Sequence, residues 1–211
     1  MIHELRVYLL IPGKQAEFLA HAGDVGLAIR KSDFGKLEGY WTSELGMLNQ
    51  VFHLWSFPSI EERARLLGAL GKVEDWNVRY LPKARSMMLA QETTIFQAGL
   101  PLDPPAEAGH VYELRRYTAH PGKAPEWLAL FQAAAPARRK LSRLVGVWTS
   151  EIGTLNQIAH LWCYRNLKER AEVRAKAMQD PDWKSFLTKV PPLVTRMEST
   201  ILTAAPFSPM R

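Results

Sequence analysis

The 211-residue chain contains a single cysteine, Cys163, and therefore no internal disulfide. A lone thiol fits a reducing compartment, and the amino terminus shows neither an apolar signal core nor an Arg-rich presequence. We therefore expect a cytoplasmic protein. No stretch approaches the roughly 18 to 20 apolar residues that a membrane span needs, so no membrane span is expected.

The usual sequence motifs of cofactor and metal sites are also missing. There is no Gly-rich phosphate loop, no His-Glu-x-x-His pair, no paired cysteines and no carboxylate cluster at ligand spacing. Ser43, Glu44 and His53 are the residue types of a hydrolytic triad, but no Gly-x-Ser-x-Gly elbow accompanies them. We expect neither a metal nor a cofactor.

The net charge of +6 comes without the other marks of a nucleic-acid-binding protein. Acidic residues lie between the basic ones, and the densest basic run is Arg138, Arg139 and Lys140 with Arg143. We interpret that run as a solvated helix face, with phosphate or an acidic partner as the alternative. Since no RNP-like aromatic motif, zinc-finger spacing or basic tail is present, nucleic acid is not an expected partner.

What the chain does contain is one long motif written twice. Residues 39–55 recur as residues 146–162, with twelve of the seventeen positions identical. The sequences Glu-Leu-Arg-x-Tyr and Pro-Gly-Lys precede the motif in both copies. A repeat of this length is a whole small domain rather than a solenoid unit. We therefore divide the chain into a first copy (1–96), a Pro-rich linker (97–109) and a second copy (110–211).

Each copy has the residue pattern of a β-α-β-β-α-β unit, the ferredoxin-like order. In the first copy, residues 3–10 alternate as a strand, and residues 14–31 carry an apolar stripe at helical spacing. The shared motif gives two β-rich runs around a glycine, which is the pattern of a hairpin. The closing strands are predicted at residues 87–96 and 196–203, which are rich in β-branched residues.

Two further signals concern the helices. Ser59 and Asn166 are each followed three positions later by a glutamate, and such a capping box starts a helix. Pro136 lies inside the first helix of the second copy and is expected to kink or break it.

Two four-stranded sheets with helices on one side each leave their other face bare. Packing the bare faces together about a pseudo-twofold axis gives an eight-stranded barrel within one chain. The predicted fold is therefore α+β, with two ferredoxin-like βαββαβ repeats packed sheet to sheet as an intrachain pseudo-dimeric α+β barrel. The linker keeps the two sheets at a high effective concentration.

Strand parity selects the candidate binding residues. In the third strand of the first copy, Asn49, His53 and Trp55 share one face, and the same residue types recur in the second copy. Because this face is the same in both copies while the other varies in size, we expect it to look into the barrel. The expected binding residues are Arg6, Tyr8, Trp41, Glu44, Asn49 and Trp55 and, in the second copy, Arg115, Tyr117, Trp148, Glu151, Asn156 and Trp162.

The two histidines of this face, His53 and His160, have two interpretations. Each is either a structural, hydrogen-bonded residue or a ligand contact and general base, since the pKa of histidine lies near neutrality. The tryptophan and the glutamate of the second strand can face either side, because the sequence does not fix the register of the hairpin.

These motifs resemble those of the NIPSNAP family, whose domain opens with Glu-Leu-Arg-x-Tyr and Pro-Gly-Lys and continues with Gly-x-Trp-x-Ser-Glu-x-Gly-x-Leu-Asn-Gln-x-x-His-x-Trp. Both copies match this pattern. The resemblance implies a tandem form of the dimeric α+β barrel. It also implies links to mitochondria and vesicle traffic in eukaryotic members, roles that we do not expect without an import segment. Barrels of this superfamily include cofactor-free monooxygenases, isomerases and haem-handling enzymes, which is an analogy of fold.

Three functional hypotheses follow. The first is a protein that binds a small aromatic or acidic metabolite in the barrel, with tryptophans for stacking and arginines for anionic groups. The second is a cofactor-independent monooxygenase or isomerase with a histidine as general base. The third is a protein-interaction module with a filled barrel. Further association of chains into a homo-oligomer is left open.

Overall fold

The computed structural model describes residues 1–211, in which eight strands close into one barrel. The strands are β1 (Ile2–Leu10), β2 (Lys36–Leu45), β3 (Gln50–Phe57), β4 (Met88–Ala98), β5 (Val111–Ala119), β6 (Arg143–Ile152), β7 (Gln157–Tyr164) and β8 (Val194–Ala204). Their order around the barrel is β1-β3-β2-β8-β5-β7-β6-β4, and all neighbours are antiparallel. The predicted α+β barrel of two βαββαβ repeats is therefore confirmed.

The helices all lie outside the barrel, on the strands of their own copy. They are α1 (Gln15–His21), α2 (Ala28–Arg30), α3 (Ile60–Leu70), α4 (Leu81–Ser86), α5 (Ala124–Arg139), α6 (Leu167–Ala177) and α7 (Pro181–Lys189). In the first copy, two π-helical segments join neighbouring helices. Residues Ala22–Leu27 connect α1 to α2, and residues Trp76–Tyr80 lead into α4.

The two copies are joined edge to edge. Strand β2 of the first copy pairs with β8 of the second, and β4 pairs with β6. The chain after each copy's last strand also crosses to the other copy, since the Gly99 amide donates to the Val147 carbonyl and the Ala205 amide donates to the Tyr40 carbonyl. The first residues of the predicted linker are therefore an ordered part of the sheet, and β4 runs on to Ala98.

Local sequence signals predicted two helix starts correctly and one helix break incorrectly. The Ser59 hydroxyl accepts a hydrogen bond from the Glu62 amide, and the Asn166 side chain accepts one from the Glu169 amide, as capping boxes predict. Pro136, however, lies inside α5, which continues to Arg139. Of the predicted kink or break, the break was wrong: the residues on both sides of Pro136 are buried and hold this turn against the rest of the copy.

The inside of the barrel is solid. An eight-stranded barrel is just wide enough for side chains to fill it, and here they leave only about 10 Å³ of free space. The lining is entirely apolar: Leu5, Trp41, Phe52, Leu54, Phe96, Leu114, Trp148, Ala159, Leu161 and Leu202. The prediction of a metabolite cavity within the barrel was therefore wrong.

Candidate functional site

The preserved strand face does line a cavity, but the cavity lies outside the barrel. Arg6, Tyr8, His53 and Trp55 surround a space of about 370 Å³ between the sheet and the helices of the first copy. Arg6 and His53 are directly opposite each other on β1 and β3, which puts their side chains on the same face. We call this space the first cavity.

The second copy repeats the arrangement. Arg115, Tyr117, His160 and Trp162 line a space of about 350 Å³ under α5, α6 and α7, which we call the second cavity. The prediction that this face looks into the barrel was wrong, because the apolar residues between these positions fill the narrow interior. The polar face instead receives its partners from the helices.

The other predicted binding residues lie away from both cavities. Trp41 and Trp148 are packed inside the barrel. Glu44 and Glu151 are exposed near the tips of the two hairpins. Neither pair lines a cavity, so the structure does not place them in a binding site.

The two asparagines of the motif are turn residues. Asn49 and Asn156 precede β3 and β7 and both have a φ of 57°, a left-handed conformation that asparagine tolerates better than most residues. The Asn156 side chain accepts a hydrogen bond from the Gly122 amide. Their recurrence in the motif is explained by the hairpin turn.

A fully buried carboxylate anchors each polar face. Glu4 accepts hydrogen bonds from Arg63 of α3, at 2.5 Å, and from Thr93 of β4, at 2.8 Å. Glu113 accepts the matching bonds from Arg170 and Ser199, both at 2.7 Å. These carboxylates therefore tie the helices to the sheet.

Hydrogen bonding outweighs burial in setting the pKa of Glu113. Burial alone would raise it, but the bonds from Arg170 and Ser199 and the positive charge of Arg115 lower the pKa to about 2. The pKa of Glu4 is lowered for the same reasons, despite its burial. Both side chains are thus charged and held by cationic partners, which leaves them unsuited to act as catalytic acids or bases.

The tautomer of each buried histidine is fixed by its neighbouring tryptophan. The Trp55 indole N–H donates to His53 Nδ1 at 2.6 Å, and the Trp162 indole donates to His160 Nδ1 at 2.7 Å. An indole nitrogen can only donate, so Nδ1 must be the acceptor and the ring proton sits on Nε2. Nε2 has no protein partner in either histidine.

In this tautomer each histidine, whose ring lines its cavity, has a buried Nε2–H donor without a partner. Burial lowers the pKa of both imidazoles well below the ordinary value, and nearby arginines add to the effect, so both rings are neutral. The lone pair that a general base needs is the one already used at Nδ1. The geometry therefore disfavours the general-base role predicted for His53 and His160.

Neutral burial of these imidazoles predicts a pH-dependent stability. Because the pKa is lower in the folded state, the unfolded chain binds protons first, and stability falls as the pH drops below about 6.5. Each histidine contributes a slope of up to about 1.4 kcal/mol per pH unit. Urea unfolding between pH 7.5 and 5 measures this slope.

The matched variants separate these histidines from other titrating groups. His53→Gln combined with His160→Gln is expected to flatten the slope between pH 6.5 and 5, whatever its effect on stability at pH 7.5. The exposed His120, changed to Gln, serves as the control and should leave the slope unchanged. An unaltered slope in the double variant would contradict neutral burial.

Arg30 is a cavity residue that the sequence analysis missed. It ends α2, is 5% exposed, and its guanidinium stacks over the Trp55 ring with 3.3 Å between Cζ and the ring centroid. Two of its nitrogens donate to the Phe34 carbonyl, and it forms no ion pair. Burial lowers the pKa of Arg30 to about 10, so it still carries its charge at neutral pH.

Arg138 is the matching residue of the second copy, and it corrects the interpretation of the basic run. It is 4% exposed, stacks on Trp162 and donates to Ser142 and Tyr164. Only its neighbours in the run lie at the surface. The recurrence of an arginine at the end of the first helix in both copies was the signal available in the sequence.

Two π-helical segments shape the first cavity. Gly39 follows Lys14 by 25 positions, whereas Gly146 follows Lys123 by 23, so the first copy carries extra residues where its first helix becomes π-helical. A π-bulge is the usual way for a helix to absorb one inserted residue, and such bulges are frequent at functional sites.

The second π segment has the same origin and faces the first. Thr93 follows Trp76 by 17 positions, whereas Ser199 follows Trp183 by 16. The two segments meet where a Cβ on Gly26 would lie 2.6 Å from the Tyr80 ring. Glycine at position 26 therefore lets Tyr80 reach the cavity wall.

None of the helices is both long and apolar enough to cross a membrane. No group of three or more His, Cys, Asp or Glu side chains is arranged to hold a metal ion.

Comparison with known proteins identifies the family. The NIPSNAP family model matches residues 3–98 and 112–209, which together are most of the chain. Protein NipSnap homolog 3A from Homo sapiens is 30% identical over 216 residues, covering 100% of this chain and 86% of that protein. Protein NipSnap homolog from Dictyostelium discoideum is 29% identical over 205 residues, covering 94% and 85%.

Solved structures support the fold. A monooxygenase-like protein from Lactobacillus acidophilus superposes with a TM-score of 0.70 over 98% of this chain and 97% of that one, at 10% sequence identity. At that identity the likeness concerns the fold alone. The sequence matches are decisive for the family, and both repeats contribute to them: the chain belongs to the NIPSNAP family.

Proposed function

We propose that the protein binds a small, flat organic anion in the first cavity. The observation that carries this proposal is Arg30, a buried guanidinium on the cavity wall without a carboxylate partner. An uncompensated charge in a buried site is costly unless a counter-charge accompanies it. An anionic ligand supplies that counter-charge.

The polar groups around Arg30 are mostly donors. His53 presents an Nε2–H without a partner, and Tyr40 and Tyr80 bring hydroxyl groups to the same wall. Arg6 adds a second guanidinium, which is bonded to Tyr8 and Glu4. Burial raises the pKa of Tyr40 and Tyr80, so both phenols keep their protons. The cavity thus favours a ligand rich in oxygen acceptors.

The remaining walls favour a flat ring. Trp55, Trp76 and Leu67 line the cavity, and the Tyr40 ring lies parallel to His53 at 4.9 Å between centroids. Aromatic walls bury a planar ligand well and hold its orientation. The proposed ligand class is therefore an acidic quinone of one or two rings, or a similarly flat anion that carries oxygen acceptors on the ring itself.

Arg30→Met tests this proposal. The change keeps an unbranched side chain against Trp55 but removes the charge. We expect about 10- to 100-fold weaker binding of 2-hydroxy-1,4-naphthoquinone, whose anion is flat and carries oxygen acceptors at both ends. Isothermal titration calorimetry at neutral pH measures the affinity.

Arg138→Met is the matched control in the second copy. It removes two hydrogen bonds and should lower the stability of the fold without changing the affinity for this probe. Unchanged affinity in Arg30→Met would overturn the proposal.

A further inference from the structure

The second cavity has the same frame as the first but different walls. At the positions of Tyr40 and Gln91, which face His53 and Tyr8 in the first copy, the second copy has Val147 and Met197. Counting from the shared Pro-Gly-Lys, Phe131 stands where the first copy has Ala22. Polar and small residues have thus been replaced by apolar ones.

Aromatic and aliphatic side chains dominate this cavity. The helices contribute a continuous apolar wall, formed by Trp127, Phe131, Trp183, Phe186, Leu187 and Val190. The stacked pair Trp127 and Phe131 has 5.0 Å between ring centroids, and both rings also contact His160. Such a wall excludes ligands with polar groups along the ring.

A small set of polar groups remains at the sheet side of the cavity. His160 is 4% exposed, lines the cavity and presents an Nε2–H without a partner. Arg115 has a buried Nε without a partner, and Arg174 reaches in from α6, where its side chain is 42% exposed. In the first copy the position matching Arg174 is Leu67, so this charge belongs to the second cavity alone.

We infer that the second cavity is a separate binding site for an apolar monocarboxylate. Its carboxylate lies at Arg115, Arg174 and the His160 Nε2–H, and its apolar body lies against the aromatic wall. One chain therefore holds two ligands of different chemistry: an acceptor-rich anion in the first cavity and an apolar acid in the second. This site is independent of the function proposed for the first cavity.

Titration with 2-naphthoate tests the inference. This probe is flat, carries one carboxylate and is otherwise apolar. We expect one equivalent to bind per chain. Arg174→Met should weaken binding about tenfold, because one charge-assisted hydrogen bond is lost. Naphthalene-2-methanol has the same rings without the charge. Its affinity for the unmodified protein should be no higher than the affinity of 2-naphthoate for Arg174→Met.

Two further variants keep the test decisive. Ala175→Trp places a large ring over the second cavity from an exposed position of α6 and should abolish 2-naphthoate binding without disturbing the core. Arg30→Met, in the first cavity, should leave it unchanged. The inference would be overturned if 2-naphthoate did not bind. It would also be overturned if Arg30→Met lost 2-naphthoate binding while Ala175→Trp kept it. The function proposed for the first cavity is tested separately, by the binding of 2-hydroxy-1,4-naphthoquinone.

Discussion

Glu113→Ala is expected to lower the free energy of unfolding by about 3 to 5 kcal/mol, because it removes the partner of several partly buried cationic groups. The carboxylate is fully buried and is the shared partner of Arg115, Arg170 and Arg174, which converge on one oxygen. Removing it leaves several guanidinium groups close together in a partly buried site without their partner. Urea unfolding at pH 7.5 measures the loss.

A surface carboxylate provides the control for this variant. Glu198 pairs with Arg116 and Arg196, but its side chain is 36% exposed. Glu198→Ala should therefore change stability by less than about 1 kcal/mol. Equal effects of the two substitutions would contradict the conclusion that Glu113 ties α6 to the sheet. Glu4→Ala, in the first copy, should resemble Glu113→Ala.

Trp148→Ala is expected to destabilise the fold by about 3 to 5 kcal/mol while leaving ligand affinity unchanged. The ring is 2% exposed and packs inside the barrel, where a Cβ on Gly146 would lie 2.5 Å from it. Truncation opens a hole in a core that has almost no free space. The naphthoquinone probe, bound on the other side of the sheet, should not sense the change.

Trp76→Ala is compared with Trp148→Ala because we expect it to affect ligand affinity more and stability less. Trp76 lines the first cavity, is partly exposed, and lies 4.3 Å from the Tyr80 ring between centroids. Its truncation should cost less stability than that of Trp148 and should weaken binding of the naphthoquinone. If Trp148→Ala weakened naphthoquinone binding more than Trp76→Ala did, the result would favour the barrel interior as the ligand site and contradict the proposal for the first cavity.

The architecture could be predicted because the duplication is explicit in the sequence. Two copies of a βαββαβ pattern, each with one bare sheet face, have few ways to cover those faces, and pairing them within one chain is the simplest. The capping residues Ser59 and Asn166 and the turn asparagines follow from local rules. These features depend on neighbours along the chain, which the sequence displays directly.

The direction of the polar face was predicted wrongly for a physical reason. Parity shows that His53 and Trp55 share a face, but not which face the barrel encloses. The narrow interior is filled by close-packed side chains, most of them apolar, such as Phe52 and Leu161. A buried glutamate needs cationic partners, which come here from its own strand and from the helix packed on that face. Arg63 and Arg170, which recur at matching positions after the capping boxes, were the signal that pointed to the helix side.

The cavity walls were harder to predict because they depend on distant contacts. Arg30 reaches Trp55 across a helix–sheet interface, and Gly26 meets Tyr80 across two helices. Neither pair is close in sequence. The π-helical segments could be inferred only after the two copies were aligned with their gaps, since each marks a small insertion in the first copy.

The hypothesis of a protein-interaction module predicted a filled barrel, and the barrel is filled. The two cavities beneath the helices do not fit that hypothesis. A protein that needed only its outer surface would gain stability from closing the space around Arg30 with apolar side chains. Instead the first copy keeps an unpaired buried charge, two extra phenols and glycine at a helix contact. These features cost stability, and the ligand that we propose for the first cavity would account for them.

The most direct measurement is a crystal structure of the protein with a bromine-labelled 2-hydroxy-1,4-naphthoquinone, with the bromine located by its anomalous scattering. A peak between the sheet and the helices of the first copy, with the ligand oxygens at Arg30 and at His53 Nε2, is the expected result. A peak inside the barrel, or only at the protein surface, would contradict the proposal that the cavity beneath the helices is the binding site.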